Sequence, residues 1–355
     1  MNTIRAAAGS LLVVGVTGTD LTGLERAWLR LVRPGGVILF RRNIAELKQT
    51  RTLLNEATAL CAAHAFRCVD VEGGAVDRLR DVLAPMPSPQ AAAHTGRGRE
   101  HGELIARAVR AFGFNTTLAP VLDLALPESA SVMGTRAAAA NAADVTLYVL
   151  DFLAGLAAHG IAGCAKHFPG LGGGALDSHV GTPSINRAWS ELWREDLAPY
   201  RVLRNDLPMV MVNHAAYPRT PGKETPASVS RFWMTTVLRK RIGYRGLIFS
   251  DDFEMGGILK FMPMEEAVIA ALRAGMDTIE ICHSAELILR AYEALVHEGE
   301  RSAAFRKLLT ERARTVAKKR AAILTSETAP ALTALQMKKL RGQIEKFSAK
   351  LAETA

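Results

Sequence analysis

Eight short apolar or β-branched runs recur along the chain: Leu11–Val16, Gly36–Phe40, Phe66–Val71, Asn115–Pro120, Ile161–Ala165, Met209–Val212, Gly246–Phe249 and Thr278–Cys282. Most are separated by longer stretches with helical spacing, namely Leu24–Val32, Ala45–Ala63, Glu100–Phe112, Ala142–His159, Arg187–Arg204, Ser230–Ile242 and Met264–Ala274. Near-continuous apolar strands alternating with helices imply a parallel sheet covered on its outside. Eight of them predict an α/β chain with a (β/α)8 TIM-type barrel, a single catalytic domain over residues 1–300. A doubly wound open sheet is the competing arrangement. No Gly-x-Gly-x-x-Gly follows the first run, so dinucleotide binding lacks support and no cofactor is expected.

The polar residues that follow these runs locate the chemistry. Asp70 and Glu72 end the third run, Asp123 follows the fourth, Lys166 and His167 the fifth, Asn213 and His214 the sixth, and Ser250, Asp251 and Asp252 the seventh. In a barrel these groups converge at the carboxyl ends of the strands, the face that carries active sites. Lys166-His167-Phe168-Pro169-Gly170 then opens a glycine-rich loop, Leu171-Gly172-Gly173-Gly174, which closes on Asp177-Ser178-His179. A carboxylate two residues from an imidazole suits a general acid/base. By spacing alone, His167, Asp177 and His179 also fit a metal trio, and the segment also fits an ordinary loop.

Composition narrows the classes further. At 355 residues, 49% hydrophobic and 22% charged, the chain can bury a large core. No apolar run approaches the ~18–20 residues of a membrane helix. The run Ser10–Val16 is too short for a secretory signal and lacks a small-residue cleavage site after it, so the expected location is cytoplasmic. Cys61, Cys68, Cys164 and Cys282 form no Cys-x-x-Cys pair, so neither disulfides nor a metal site are expected of them. The net charge of +9 resides in one place: residues 301–355 hold 13 Lys/Arg against 4 Asp/Glu, and residues 1–300 hold 31 of each sign. A nucleic-acid partner is therefore not expected of the body. The basic segment 301–355 reads as two helices, one around Phe305, Leu308, Leu309 and Val316 and one striped by Leu340, Ile344, Phe347 and Leu351. They are expected to pack on the barrel or on a partner, which leaves an oligomer open.

Taken together, Lys166–Gly170 with Asp177-Ser178-His179, and Gly246-Leu-Ile-Phe-Ser-Asp251-Asp252, resemble glycoside hydrolase family 3, in its bacterial β-N-acetylglucosaminidase branch. Gly35–Asn43, Val69–Gly74, Leu118–Asp123, Asn213-His214 and Ala274-Gly275 match its pattern in order. The resemblance implies a retaining exo-β-N-acetylglucosaminidase that releases terminal N-acetylglucosamine from cell-wall muropeptide fragments. It implies Asp251 as nucleophile, His179 as acid/base and Asp177 as its partner. Asp70, Arg78, Arg136, Lys166 and His167 match positions that hold the terminal sugar. Leu171, Gly173, Gly174 and Glu254 depart from the family's usual residues. A phosphorylase or broader β-glycosidase, or an inactive sugar-binding barrel, is the alternative on the same scaffold.

Overall fold

The structure is a computed structural model that describes residues 3–174, 182–324 and 330–353. Its strands are β1 (Leu12–Val14), β2 (Gly36–Leu39), β3 (Phe66–Val69), β4 (Val71–Gly73), β5 (Val76–Asp77), β6 (Thr116–Thr117), β7 (Ala162–Phe168), β8 (Met209–Val212), β9 (Leu247–Asp252) and β10 (Thr278–Ile281). Eight of them close a barrel in the order β1-β10-β9-β8-β7-β6-β3-β2, every neighbouring pair parallel. All eight coincide with the apolar runs of the sequence. The fold is thus the (β/α)8 barrel, with helices outside. The barrel is filled by side chains: Phe66 of β3 meets Phe249 of β9 edge to face at 5.0 Å, and both are fully buried.

The remaining two strands form an antiparallel hairpin, β4–β5, inserted after β3. It turns through Gly73 and Gly74 at φ +96° and +62°. A side chain at Gly73 would meet the Pro87 carbonyl oxygen at 2.1 Å, so this turn requires glycine twice over. The hairpin lifts Glu72 and Arg78 over the carboxyl end of the barrel.

Two elements depart from the sequence reading. The stretch Arg187–Arg204 is two short helices, Trp189–Arg194 and Ala198–Val202, interrupted where Asp196 turns inward toward Gly170. A helix Thr3–Ser10 precedes the first strand and packs against the helices Ala285–Arg301 and Ala303–Ile323. Its eight residues carry too little periodicity to show in the sequence.

The C-terminal helices lie on the barrel's own surface. In the helix Ala303–Ile323, Arg320 is buried and donates to the carbonyls of Ser10, Gly35 and Ala63, closing the amino-terminal end of the barrel. In the helix Ala334–Ala352, Leu340, Ile344, Phe347 and Leu351 are all buried, with Phe347 stacked on His101 at 6.2 Å. The apolar stripe is covered within the chain. Among the described residues, no helix is long and apolar enough to cross a membrane.

Candidate active site

The carboxyl ends of the barrel strands gather the predicted groups into one charged cluster. Lys166, on β7, is 3% exposed and reaches both Asp70 Oδ1 at 2.7 Å and Glu72 Oε1 at 2.6 Å. Arg136, presented by the turn Gly134–Arg136, binds the same Glu72 bidentately, both bonds 2.8 Å. Burial is the largest influence on Glu72 and would raise its pKa. Arg136 and Lys166 outweigh it and hold the carboxyl well below the usual range. Burial alone would likewise lower Lys166, but Asp70 and Glu72 raise it, so the ammonium stays charged. Arg78 reaches Asp70 Oδ2 at 3.6 Å and lies over the Phe40 ring.

His167 is oriented from below. Asp123 Oδ2 accepts from the His167 backbone N–H at 3.1 Å and pairs with its Nδ1 at 2.6 Å, while Asp123 Oδ1 accepts from the Leu171 N–H at 2.7 Å. With Nδ1 turned to Asp123, Nε2 faces the Arg136 guanidinium, 3.5 Å away. The backbone is held as well: Asn213 Nδ2 donates to the His167 carbonyl at 3.0 Å, and the Tyr217 hydroxyl donates to that of Gly170 at 2.7 Å. Asp123 and Asn213 therefore fix the stem of the loop that follows β7.

Asp251 and Asp252, adjacent at the end of β9, have opposite environments. Burial would raise Asp251, yet His167, His214, the N–H of Asp252 and Lys166 together bring it below its ordinary value, and it is ionised. Its only hydrogen bond among the described residues comes from the Asp252 N–H, 2.9 Å from Oδ1. Asp252 instead turns back into the fold, where its Oδ1 accepts from the N–H groups of Glu254 and Cys282. Burial, with Glu254 and Asp251 adding to it, pushes its carboxyl up to about 7. His214 bridges Ser228 and the Asp252 carbonyl, at 2.7 and 3.0 Å, which locks the β9 end.

Asp70, Arg78, Arg136, Lys166, His167 and Asp251 are thus brought together as expected. Asp177 and His179 lie outside the described residues. Sequence reasoning passed over the organising roles of Glu72, Asp123 and His214, although each follows an apolar run. It missed Ser228 and Glu280, for which no local pattern existed. Asp252, Glu254 and His283 bring potential metal-ligand atoms within 4.8 Å of one another. Glu254, however, already accepts from the backbone N–H groups of Cys282, His283 and Ser284, so this cluster acts as a loop clamp.

A parallel barrel whose strand ends present paired, buried carboxylates and cations has the architecture of a barrel enzyme. Residues 3–317 match the family described as Glycosyl hydrolase family 3 N terminal domain, and the chain belongs to that family; it is a glycoside hydrolase. A β-hexosaminidase of Thioalkalivibrio sulfidiphilus is 38% identical over 301 residues, 81% of this chain and 85% of the relative. The structure of a family 3 β-N-acetylglucosaminidase from Paenibacillus sp. FPU-7 superposes with a TM-score of 0.87 at 28% identity, covering 97% of this chain and 68% of that one. NagZ from Neisseria gonorrhoeae, solved with N-trifluoroacetyl-D-glucosamine, superposes with a TM-score of 0.77 at 28% identity, over 95% and 98% of the two chains.

Proposed function

We propose that this glycoside hydrolase is a retaining exo-β-N-acetylglucosaminidase acting on cell-wall muropeptide fragments in the cytoplasm. The observation that carries the reading is Asp251: an ionised carboxylate at a strand end, with one side-chain hydrogen bond among the described residues and with His167, His214 and Lys166 near it. Such a group can attack an anomeric carbon, while Asp252 beside it, spent on backbone N–H groups, cannot. Asp70, Arg78, Arg136, Lys166 and His167 supply fixed donors and acceptors for a terminal sugar, and the names of the relatives support N-acetylglucosamine as that sugar. His179, with Asp177 as partner, serves as acid/base by the family resemblance. The four buried thiols, none in a disulfide, suit a reducing compartment.

The test is a panel of nitrophenyl glycosides followed by trapping with a slow fluorinated N-acetylglucosaminyl fluoride and peptide mapping. N-acetylglucosaminides should be preferred over glucosides by about 10²-fold or more, because a wrong sugar leaves buried polar groups unpaired. The label should sit on Asp251. Comparable turnover of both sugars, or label on Asp252, overturns the reading.

A further inference from the structure

Glu280, the third residue of β10, is a carboxyl side chain inside the barrel. It is 2% exposed, and its Oε1 is sealed from solvent without a hydrogen-bond partner among the described residues. Its backbone is fixed on both sides: its N–H donates to Ser250 Oγ at 2.9 Å, and its carbonyl accepts from the Phe253 N–H at 2.9 Å. Among the described residues no cation pairs with it, and a buried, unpaired carboxylate is so costly that the group takes up a proton instead.

The charged and titratable groups that face it come from the adjacent strand β9 and, across the barrel, from β3 and β7. These are Cys68 and Asp70 at β3, Cys164 and Lys166 on β7, and Asp251 and Asp252 on β9, with Cys282 following on its own strand. Burial raises the Glu280 carboxyl well above its ordinary value, and Asp252, Asp251 and Asp70 push the same way against Lys166. A neutral acid surrounded by carboxylates is a hydrogen-bond donor, and O–H to carboxylate is among the stronger kinds. Of the three acceptors, Asp70 is engaged by Lys166 and Arg78, and Asp252 by two backbone N–H groups. Asp251 receives only one donor among the described residues.

We infer that Glu280 is a positioning residue: a neutral carboxylic acid in the barrel interior that donates a hydrogen bond to Asp251, directly or through one water, and so sets how readily Asp251 leaves the sugar. The inference rests on Asp251 as nucleophile. In the second half-reaction the bond from the anomeric carbon to Asp251 breaks, its electron pair returns to the carboxylate, and water oxygen bonds the anomeric carbon. The water proton passes to the acid/base, and Glu280 keeps its own proton. A donor to Asp251 stabilises the carboxylate as it departs and does little for the first half-reaction.

The experiment measures reactivation in water of the trapped fluorosugar adduct, as a function of pH, in the unsubstituted enzyme, Glu280→Gln and Glu280→Leu. Glu280→Leu should reactivate about tenfold more slowly or worse, with kcat and KM for an activated aryl glycoside falling together as the adduct accumulates. Glu280→Gln keeps a neutral donor and should reactivate within about threefold of the unsubstituted enzyme. It should also lose the decline at high pH that deprotonation of Glu280 produces. Equal rates in all three proteins, or equal slowing in both variants, overturns the inference. Should Glu280→Leu not fold, an unchanged alkaline limb in Glu280→Gln overturns it alone. Absence of any adduct on Asp251 in the unsubstituted enzyme fails the functional reading itself, and this inference with it.

Discussion

The Lys166 ammonium and the Glu72 carboxylate meet at 2.6 Å with their side chains 3% and 0% exposed. Neither charge could be buried without the other, because removing one partner of a buried pair strands the remaining charge. Glu72 also accepts both Arg136 bonds, so it anchors two of the groups proposed to hold the sugar. Glu72→Gln should destabilise the protein by about 3–5 kcal/mol and raise KM for an N-acetylglucosaminide. Because the Glu72 pKa is lowered in the fold, its contribution is present above the ordinary glutamate range and lost in acid. Urea unfolding at pH 7 checks the magnitude; a midpoint equal to that of the unsubstituted protein would show that the network is redundant.

Asp123 presents two oxygens to three N–H donors, from the His167 backbone, the His167 ring and the Leu171 backbone. In Asp123→Asn one of those oxygens becomes an NH2 group that faces donors. In one orientation the NH2 meets the His167 backbone N–H and ring Nδ1, in the other it meets the Leu171 N–H, so either the ring or the stem of the loop loses its anchor. Misplacement of this order costs about 10²-fold in kcat/KM, with folding largely retained. Steady-state kinetics alongside circular dichroism separate the two; unchanged kinetics would mean His167 is oriented by Asn213 and Arg136 alone.

Asp252 gives a stability slope with a defined sign. Its carboxyl stands at about 7 in the fold, against about 3.9 in an unfolded chain. Between those values the folded protein holds a proton that the unfolded chain has released, so stability falls as pH rises from about 4 to 7. Asp196, also raised to about 7 by burial, acts in the same direction. Asp252→Asn, which keeps an oxygen for the backbone N–H groups, should therefore gain melting temperature relative to the unsubstituted protein on going from pH 5 to pH 8. Melting curves at the two values test it, and a relative loss would reverse the assignment.

The barrel was legible because both faces of its strands are buried, which turns each strand into an unbroken apolar run bounded by polar residues. The same property hid Glu280. With inner and outer faces equally apolar, Thr278-Ile-Glu-Ile-Cys282 does not reveal which way its one carboxyl points. Lys166, His167 and Asp251 stood out because they terminate runs, whereas Arg78 and Arg136 sit in the hairpin and in a short turn and came only from the family pattern. Ser228 reaches His214 from fourteen positions along the chain, a pairing that no local spacing encodes.

Glu254 is the departure in sequence that the structure explains most directly. Its Oε2 accepts from the Cys282 N–H at 2.8 Å and from the His283 N–H, and its Oε1 from the Ser284 N–H at 2.7 Å. Those residues lead into the helix Ala285–Arg301, whose N-cap is Ser284. A carboxylate at this position satisfies backbone donors at a helix entrance and suits the positive end of its dipole. It also ties the loop after β9, and with it Asp251 and Asp252, to the end of β10. A small residue here would leave the His283 and Ser284 N–H groups to water and the Cys282 N–H with Asp252 Oδ1 alone. With N-terminal caps worth about 0.5–2 kcal/mol each, Glu254→Ala should lose about 2–3 kcal/mol. It should also lower kcat more than it raises KM, because the anchor it removes holds the strand of the proposed nucleophile and leaves the cations proposed to hold the sugar in place. Glu254→Gln, which keeps one acceptor oxygen, should recover part of both losses. If Glu254→Ala unfolds at the same urea concentration as the unsubstituted protein and turns over at the same rate, the loop is held by Asp252 and His214 alone.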